Sequence, residues 1–327
     1  MHDDKIKMIY DCDPGTDDSV SIVIALSHPR VELLAITTES GNLRSDRTAE
    51  NALRILEYMG VDDVPVARGM LHPLVRPLPP DPYSHGQDGL GNHFFPKPTL
   101  QPIDKHAAQV IIDGVLENPN EITLVCTAPL TNVALAMMLK PEIIPLIKAI
   151  YHLGGAYGFS EYAFRNATGD NPMSEWNVYV DPEAAKIVYE SGANITTIGL
   201  DVAFNPECAN IEDEAIEKLR RIGNKAASYA LEIIDYIDKN NSIPEQGIFI
   251  NGPIDTMAMC AAIYPDMLTT REIHVAVDTG SQLTRGMTLW DRRNHFRWEH
   301  LPIIKSAISV ESATYQRVFV EALAEQV

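Results

Sequence analysis

The chain has 327 residues, 45% of them hydrophobic, and a formal net charge of −19. That length and apolar content suffice for one large α/β core, and the charge argues against nucleic acid or an anionic membrane as partner, because both attract clustered Lys and Arg. No apolar run approaches the roughly 20 residues that span a bilayer, and Met1-His2-Asp3-Asp4-Lys5 lacks an apolar signal core. Cys12, Cys126, Cys208 and Cys260 show no CxxC spacing, so a reduced, cytoplasmic protein acting on a small neutral substrate is expected.

Residues 6–10 form a hydrophobic run that reads as a buried strand, and Val20, Val23 and Ile24 mark the face of a helix starting near Asp17. Asp11, Asp13, Asp17 and Asp18 crowd the turn between them. In an α/β sheet such a turn lies at the carboxyl end of a strand, where ligands bind. Helix capping uses one or two carboxylates, whereas four repel one another and call for a cation. Ca²⁺ is the natural one, since it accepts six to eight mixed oxygen ligands. An EF-hand is excluded because its sixth position would be Thr16 instead of Gly and its twelfth Ile22 instead of Glu.

Residues 31–38 read as a second strand and 44–59 as a helix, giving a βαβα opening and a parallel sheet. A short strand at 64–67 precedes a proline-rich stretch, 69–103, whose length suggests a lid or binding loop. Within it, Ser84-His85-Gly86-Gln87-Asp88-Gly89-Leu90-Gly91 offers glycines for close backbone approach and His85 as a ligand contact. A helix at 107–116 and a strand at 122–126 lead into Thr127-Ala128-Pro129-Leu130-Thr131-Asn132, with the proline in a first helical turn. A strand at 147–153 is followed by an irregular segment, 158–176, then by 177–180 and a helix opened by Asp181-Pro182. Glu175 and Asn177 flank Trp176, and alternation along an extended segment places both polar groups on one side. A strand at 196–200, helices at 212–222, 225–238 and from Asp255, strands at 272–277 and 286–290, and a final helix at 313–324 complete the chain. No repeat or linker divides it, so residues 1–327 are read as one domain.

The motifs Asp11-Cys12-Asp13-Pro14-Gly15-Thr16-Asp17-Asp18, Ala35-Ile36-Thr37-Thr38 with Gly41-Asn42, Leu124-Val125-Cys126-Thr127 with Leu130-Thr131-Asn132, Glu175-Trp176-Asn177 and Asp181-Pro182-Glu183-Ala184-Ala185 together resemble the calcium-dependent, inosine-uridine preferring nucleoside hydrolases. The resemblance runs to the Leu283-Thr284-Arg285-Gly286-Met287-Thr288 segment. It implies an open, mostly parallel, Rossmann-like α/β sheet flanked by helices, a homodimer or homotetramer, and hydrolysis of ribonucleosides to ribose and free base. Asp13, Asp18, the Thr127 carbonyl and Asp255 match the family's Ca²⁺ ligands, with Asp13 also taking the proton from the metal's water. Asp17 and Asn42 match contacts to the ribose 2′- and 3′-hydroxyls, Glu175 and Asn177 contacts toward the 5′ and 3′ hydroxyls, and Asn171 a further 5′ contact.

The chemistry suits these residue types. Cleaving an N-glycosidic bond passes through an oxocarbenium-like species, so the site must present negative charge to the sugar and a nucleophilic water opposite the leaving base. The sequence departs from the family at the base end, where Ile254 replaces the His that can protonate the base, and where Ile237 and Asn241 stand at positions that hold tyrosines in other members. His85, Tyr157 and Tyr162 are the remaining candidate donors to the leaving base. Two other readings stand beside hydrolysis: a metal-dependent phosphatase using the strand-end aspartates, and a ribose- or nucleoside-binding protein without turnover.

Overall fold

The computed structural model describes residues 5–80, 84–165, 171–242, 250–293, 295 and 297–325. Among the described residues nine strands form one sheet: β1 (Ile6–Cys12), β2 (Val31–Thr38), β3 (Val66–Arg68), β4 (Thr123–Cys126), β5 (Ala149–Leu153), β6 (Ile195–Ile198), β7 (Leu268–Val277), β8 (Thr288–Trp290) and β9 (Ile303–Val310), ordered β3-β2-β1-β4-β5-β6-β9-β7-β8. The first six strands and β9 run parallel, while β7 pairs antiparallel with β9 and with β8. The order 3-2-1-4-5-6 is that of a doubly wound sheet, in which the connections leave β1 and β4 in opposite directions and open a crevice at their carboxyl ends. Residues following β1 and β4 are therefore brought together by topology alone.

Twelve helices surround the sheet among the described residues: α1 (Thr16–Ser27), α2 (Ser45–Met59), α3 (Ala107–Glu117), α4 (Thr131–Leu139), α5 (Trp176–Val180), α6 (Pro182–Tyr189), α7 (Leu200–Ala203), α8 (Pro206–Ala209), α9 (Asp213–Ile222), α10 (Lys225–Asn241), α11 (Asp255–Ile263) and α12 (Ser312–Ala324). Because side chains alternate across a strand, Met8 and Tyr10 join an apolar cluster with α1, α2, α10, α11 and α12, while Ile9 joins a second one with α3, α4 and α6. Burial on both faces is why β1 reads as a continuous apolar run. Helix α1 is buried along nearly its whole length, against α2, α10, α11 and α12. The acidic turn is thus clamped on a rigid element and not on a surface loop. Among the described residues, no helix is long and apolar enough to cross a membrane.

Two local expectations are corrected. The segment around Glu175 is helical, because the Glu175 side chain accepts from Asn177 N and Val178 N at 2.8 and 3.0 Å and so caps α5; alternation along an extended strand does not apply. Helix α4 begins at Thr131, after Pro129. The strand β9 escaped the pattern reading altogether, yet it occupies the slot between β6 and β7. Ile237 is buried in the core, and the side chain of Asn241 lies outside the described residues.

Candidate active site

Asp13, at the end of β1, is fully buried. Its Oδ2 accepts the Asn42 amide N–H at 2.5 Å, while Oδ1 has no hydrogen-bond partner. Asn42 Nδ2 lies 3.4 Å from both the Asp13 carbonyl and Asp18 Oδ2, so this residue, which follows β2, ties the two aspartates together. Asp18 reaches back to Gly15 N at 3.0 Å and accepts from Thr127 Oγ1 at 2.6 Å. Tyr10 OH closes the group with a 2.7 Å bond to the Thr127 hydroxyl. Gly41 must be glycine, because a Cβ there would collide with Asp13 Oδ2 and lie 2.8 Å from Pro129 Cδ.

Carboxylate oxygens of Asp17, Asp18 and Asp255 lie within 4.8 Å of one another. Oxygens bound to one Ca²⁺ at 2.3–2.6 Å can be that far apart. This trio contains Asp17, expected as a ribose contact, and not Asp13. The orphaned, buried oxygens Asp13 Oδ1 and Asp17 Oδ1 are what an oxygen-seeking cation requires. Burial first, and then the neighbouring aspartates, push the carboxyls of Asp13 and Asp255 well above the usual range; Asp18 is raised by the same causes. Among the described residues one basic side chain comes within ion-pair distance of the cluster, His85, whose Nδ1 lies 3.6 Å from Asp17 Oδ1; as the acceptor of the Thr16 N–H that nitrogen carries no proton, so the contact offsets no charge.

The Thr127 carbonyl accepts from Asn177 Nδ2 at 2.8 Å, and the same nitrogen reaches the Leu153 carbonyl at 2.9 Å, stitching the ends of β4 and β5. Glu175 takes three backbone N–H groups, the third from Gly155 at 3.1 Å, and burial raises its carboxyl to about 7. Asn171 donates to Ser174 Oγ in its own loop and to the distant Arg285 carbonyl at 2.6 and 2.8 Å and accepts from Met173 N at 2.9 Å, so both of its amide hydrogens are spent on the protein.

The base-side candidates separate. Tyr157 is 1% exposed, its ring stacked on Phe159 and packed in the second apolar cluster, and burial raises its hydroxyl well above the ordinary phenol; it is removed from the candidates because it is core. Tyr162 is half-buried in the turn Glu161–Phe164. His85 alone reaches the site. Its Nδ1 lies 3.2 Å from Thr16 N and 2.9 Å from Thr16 Oγ1. A backbone N–H only donates, so Nδ1 is the acceptor and Nε2 carries the ring proton. Ile254 precedes α11 and packs on the core; it offers no donor.

Asp11 diverges from the other three aspartates of its turn. Its Oδ1 accepts from Thr37 Oγ1 at 2.6 Å and Asn132 Nδ2 at 3.0 Å, and it interacts with the fully buried Glu39, whose carboxyl is raised well above normal by burial and by Asp11. Glu39, Asn51 and Asp88 carry no local signature: Glu39 meets Asp11 and, 93 residues away, Asn132, Asn51 bonds Pro14 and Asp88, each 37 residues away, and Asp88 holds the backbone of its own loop.

A doubly wound sheet with an acidic cage at its switch point defines a carboxylate-lined site for a small polar ligand. The profile of the inosine-uridine preferring nucleoside hydrolases matches residues 8–317, and the chain belongs to that family. It is similar to the pyrimidine-specific ribonucleoside hydrolases of Shewanella sp. (strain MR-7), 38% identical over 286 residues (87% of this chain, 86% of the relative), and of Salmonella newport (strain SL254), 36% identical over 287 residues (88% of each). Among solved structures it resembles a plant nucleoside hydrolase, with a TM-score of 0.84 and 31% identity over 97% of this chain and 98% of the other. It also resembles the purine-preferring ribonucleoside hydrolase of Gardnerella vaginalis, with a TM-score of 0.83 and 28% identity over the same shares. The chain is therefore an N-glycosidase that hydrolyses ribonucleosides. A phosphatase does not fit this membership.

One consequence concerns Gly41. The variant Gly41→Ala must push Asp13 aside, and a displacement near 1 Å at a reacting group costs about 100-fold. Steady-state kinetics should show kcat/KM falling by that order while the circular dichroism spectrum is unchanged. An active Gly41→Ala enzyme would mean that the position of Asp13 is not critical.

Proposed function

We propose that the protein hydrolyses ribonucleosides, pyrimidine ribonucleosides among them, at a site that holds Ca²⁺ through Asp13, Asp18, Asp255 and the Thr127 carbonyl. The observation that carries this reading is the buried trio of mutually close carboxylates, Asp17, Asp18 and Asp255, with the buried Asp13 beside it and with Asp13 Oδ1 and Asp17 Oδ1 lacking hydrogen-bond partners; no Lys or Arg among the described residues pairs with them. A bound Ca²⁺ would supply the missing positive charge and acidify water in the site. Asp13 takes the proton of the attacking water, its Oδ2 being held by Asn42 so that Oδ1 remains available. Asp17 and Asn42 bind the ribose diol. Asn177 fixes the Thr127 carbonyl, and Glu175 fixes α5, so their contribution to the sugar runs through the framework they hold. The carboxylates leave the site electronegative where positive charge develops on the ribose.

Assembly into a homodimer or homotetramer and a cytoplasmic location belong to the same reading; family membership supports the first, and four unpaired, buried cysteines fit the second.

The test is release of reducing sugar from a panel of purine and pyrimidine ribonucleosides and their 2′-deoxy counterparts. Ribonucleosides should turn over and deoxynucleosides should be cleaved at least about 10-fold more slowly, the loss expected when a site built to bind a hydroxyl is left unpaired. Equal rates on both sets would refute recognition through the diol.

His85 stands beside Asp17 and Thr16, which supports a role at the sugar end. His85→Ala should therefore slow uridine and p-nitrophenyl riboside alike. The nitrophenyl group departs without protonation, so a loss confined to uridine would instead assign His85 to the leaving base.

A further inference from the structure

Residues 84–94 form no helix or strand, yet they are closely held. Gly86, Gly89 and Gly91 have φ of 81°, 82° and 69°, and Asn92 and Phe94 have 64° and 50°. The backbone wound in this way aims the amides of Leu90, Asn92 and Phe94 at the Asp88 carboxylate, at 2.8, 2.9 and 2.7 Å. Gly91 N donates to the His85 carbonyl at 2.9 Å, so the same winding fixes the backbone of His85. The internal bonds set the loop's shape. Its seat on the acidic turn comes from elsewhere.

Asn51, fully buried on α2, supplies that seat. Its Nδ2 donates to the Pro14 carbonyl at 3.1 Å and to the Asp88 carbonyl at 3.2 Å. Its Oδ1 accepts from Arg54 Nη1 at 2.9 Å, which sets the amide orientation so that both hydrogens face the two carbonyls. Carbonyls only accept, so without a donor between them the turn and the loop have no bond here. The approach is close: a Cβ at Gly89 would lie 2.9 Å from Asn51 Nδ2 and 2.5 Å from Leu43 Cδ1.

We propose that Asn51 is a positioning residue for hydrolysis, joining the acidic turn at Pro14 to the glycine loop at Asp88 and thereby holding His85 against Thr16 and Asp17. The proposal rests on the site reading above and extends it to a residue that touches no substrate. Two bonds from one buried nitrogen are the means. The consequence is that the effect of Asn51 passes through His85.

A double-mutant cycle tests this. Asn51→Asp preserves size and the acceptor for Arg54 but removes both donors. It should lower kcat/KM on the best ribonucleoside by about 10-fold, the scale of one buried group left unpaired. His85→Ala should lose at least as much, and the double variant no more than His85→Ala alone, because groups acting as one unit are not additive. Losses that multiply, an Asn51→Asp enzyme at the parent rate, or a silent His85→Ala would each overturn the proposal. If Asn51→Asp does not fold, Gly89→Ala, strained at φ 82° and forced against the same nitrogen, takes its place with the same expectation. Amide hydrogen exchange at residues 84–94 gives a readout independent of turnover: it should quicken in the variant, and unchanged protection would also overturn the proposal. A parent protein inactive on every ribonucleoside would count against the site reading, and the exchange result would still decide the role of Asn51.

Discussion

Asp13→Asn should lose about 10² to 10⁴-fold in kcat, the usual loss when a general base is removed. The substitution keeps the shape of the side chain, and the Asn oxygen can still accept the Asn42 N–H that Asp13 Oδ2 accepts at 2.5 Å. What disappears is the negative charge and the proton-accepting oxygen. Because Asp13 is fully buried among like charges that raise its carboxyl, removing one charge should not destabilise the fold. The melting temperature of the metal-free variant should equal or exceed that of the metal-free parent, while turnover is lost. A variant that keeps most of the parent rate would show that proton removal belongs to another group.

Chelation should remove activity and stability together. Without a cation, Asp13, Asp17, Asp18 and Asp255 repel one another, and among the described residues no Lys or Arg pairs with them. Binding to the folded state alone stabilises by about 2.7 kcal/mol when free ligand exceeds its Kd 100-fold, so the melting temperature should rise with added Ca²⁺ and fall with chelator. The dependence should flatten in Asp255→Asn, which lacks one of the three mutually close carboxylates. A melting temperature indifferent to chelator would mean that the cluster is not a metal site.

The sequence made the strand, turn and helix around Asp13 legible because a buried parallel strand and a buried helix leave an apolar signature on both sides of the charges. The order of strands was legible only as far as the βαβα rhythm; β9, Ile303–Val310, mixes Lys305, Ser306 and Ser309 into its run, and no local rule places a carboxyl-terminal strand beside β6. Glu175 was legible as a polar residue at the site, but its capping of α5 was not, since Trp176-Asn177-Val178-Tyr179-Val180 has the composition of a strand and the cap overrides that preference. Tyr157 reads as a loop tyrosine from its glycine neighbours, and burial against the second cluster is a tertiary fact. Asp11 reads as a fourth member of the acidic turn; its turn toward Glu39 and Asn132 depends on β2 and α4, which meet it only in the folded sheet.

The most direct measurement is reducing-sugar release from uridine by one preparation in three states: as purified, stripped with chelator, and stripped then returned to Ca²⁺. The account predicts turnover in the first, its loss in the second and its return in the third, with the melting temperature following the same course. Undiminished sugar release from the stripped protein would contradict it.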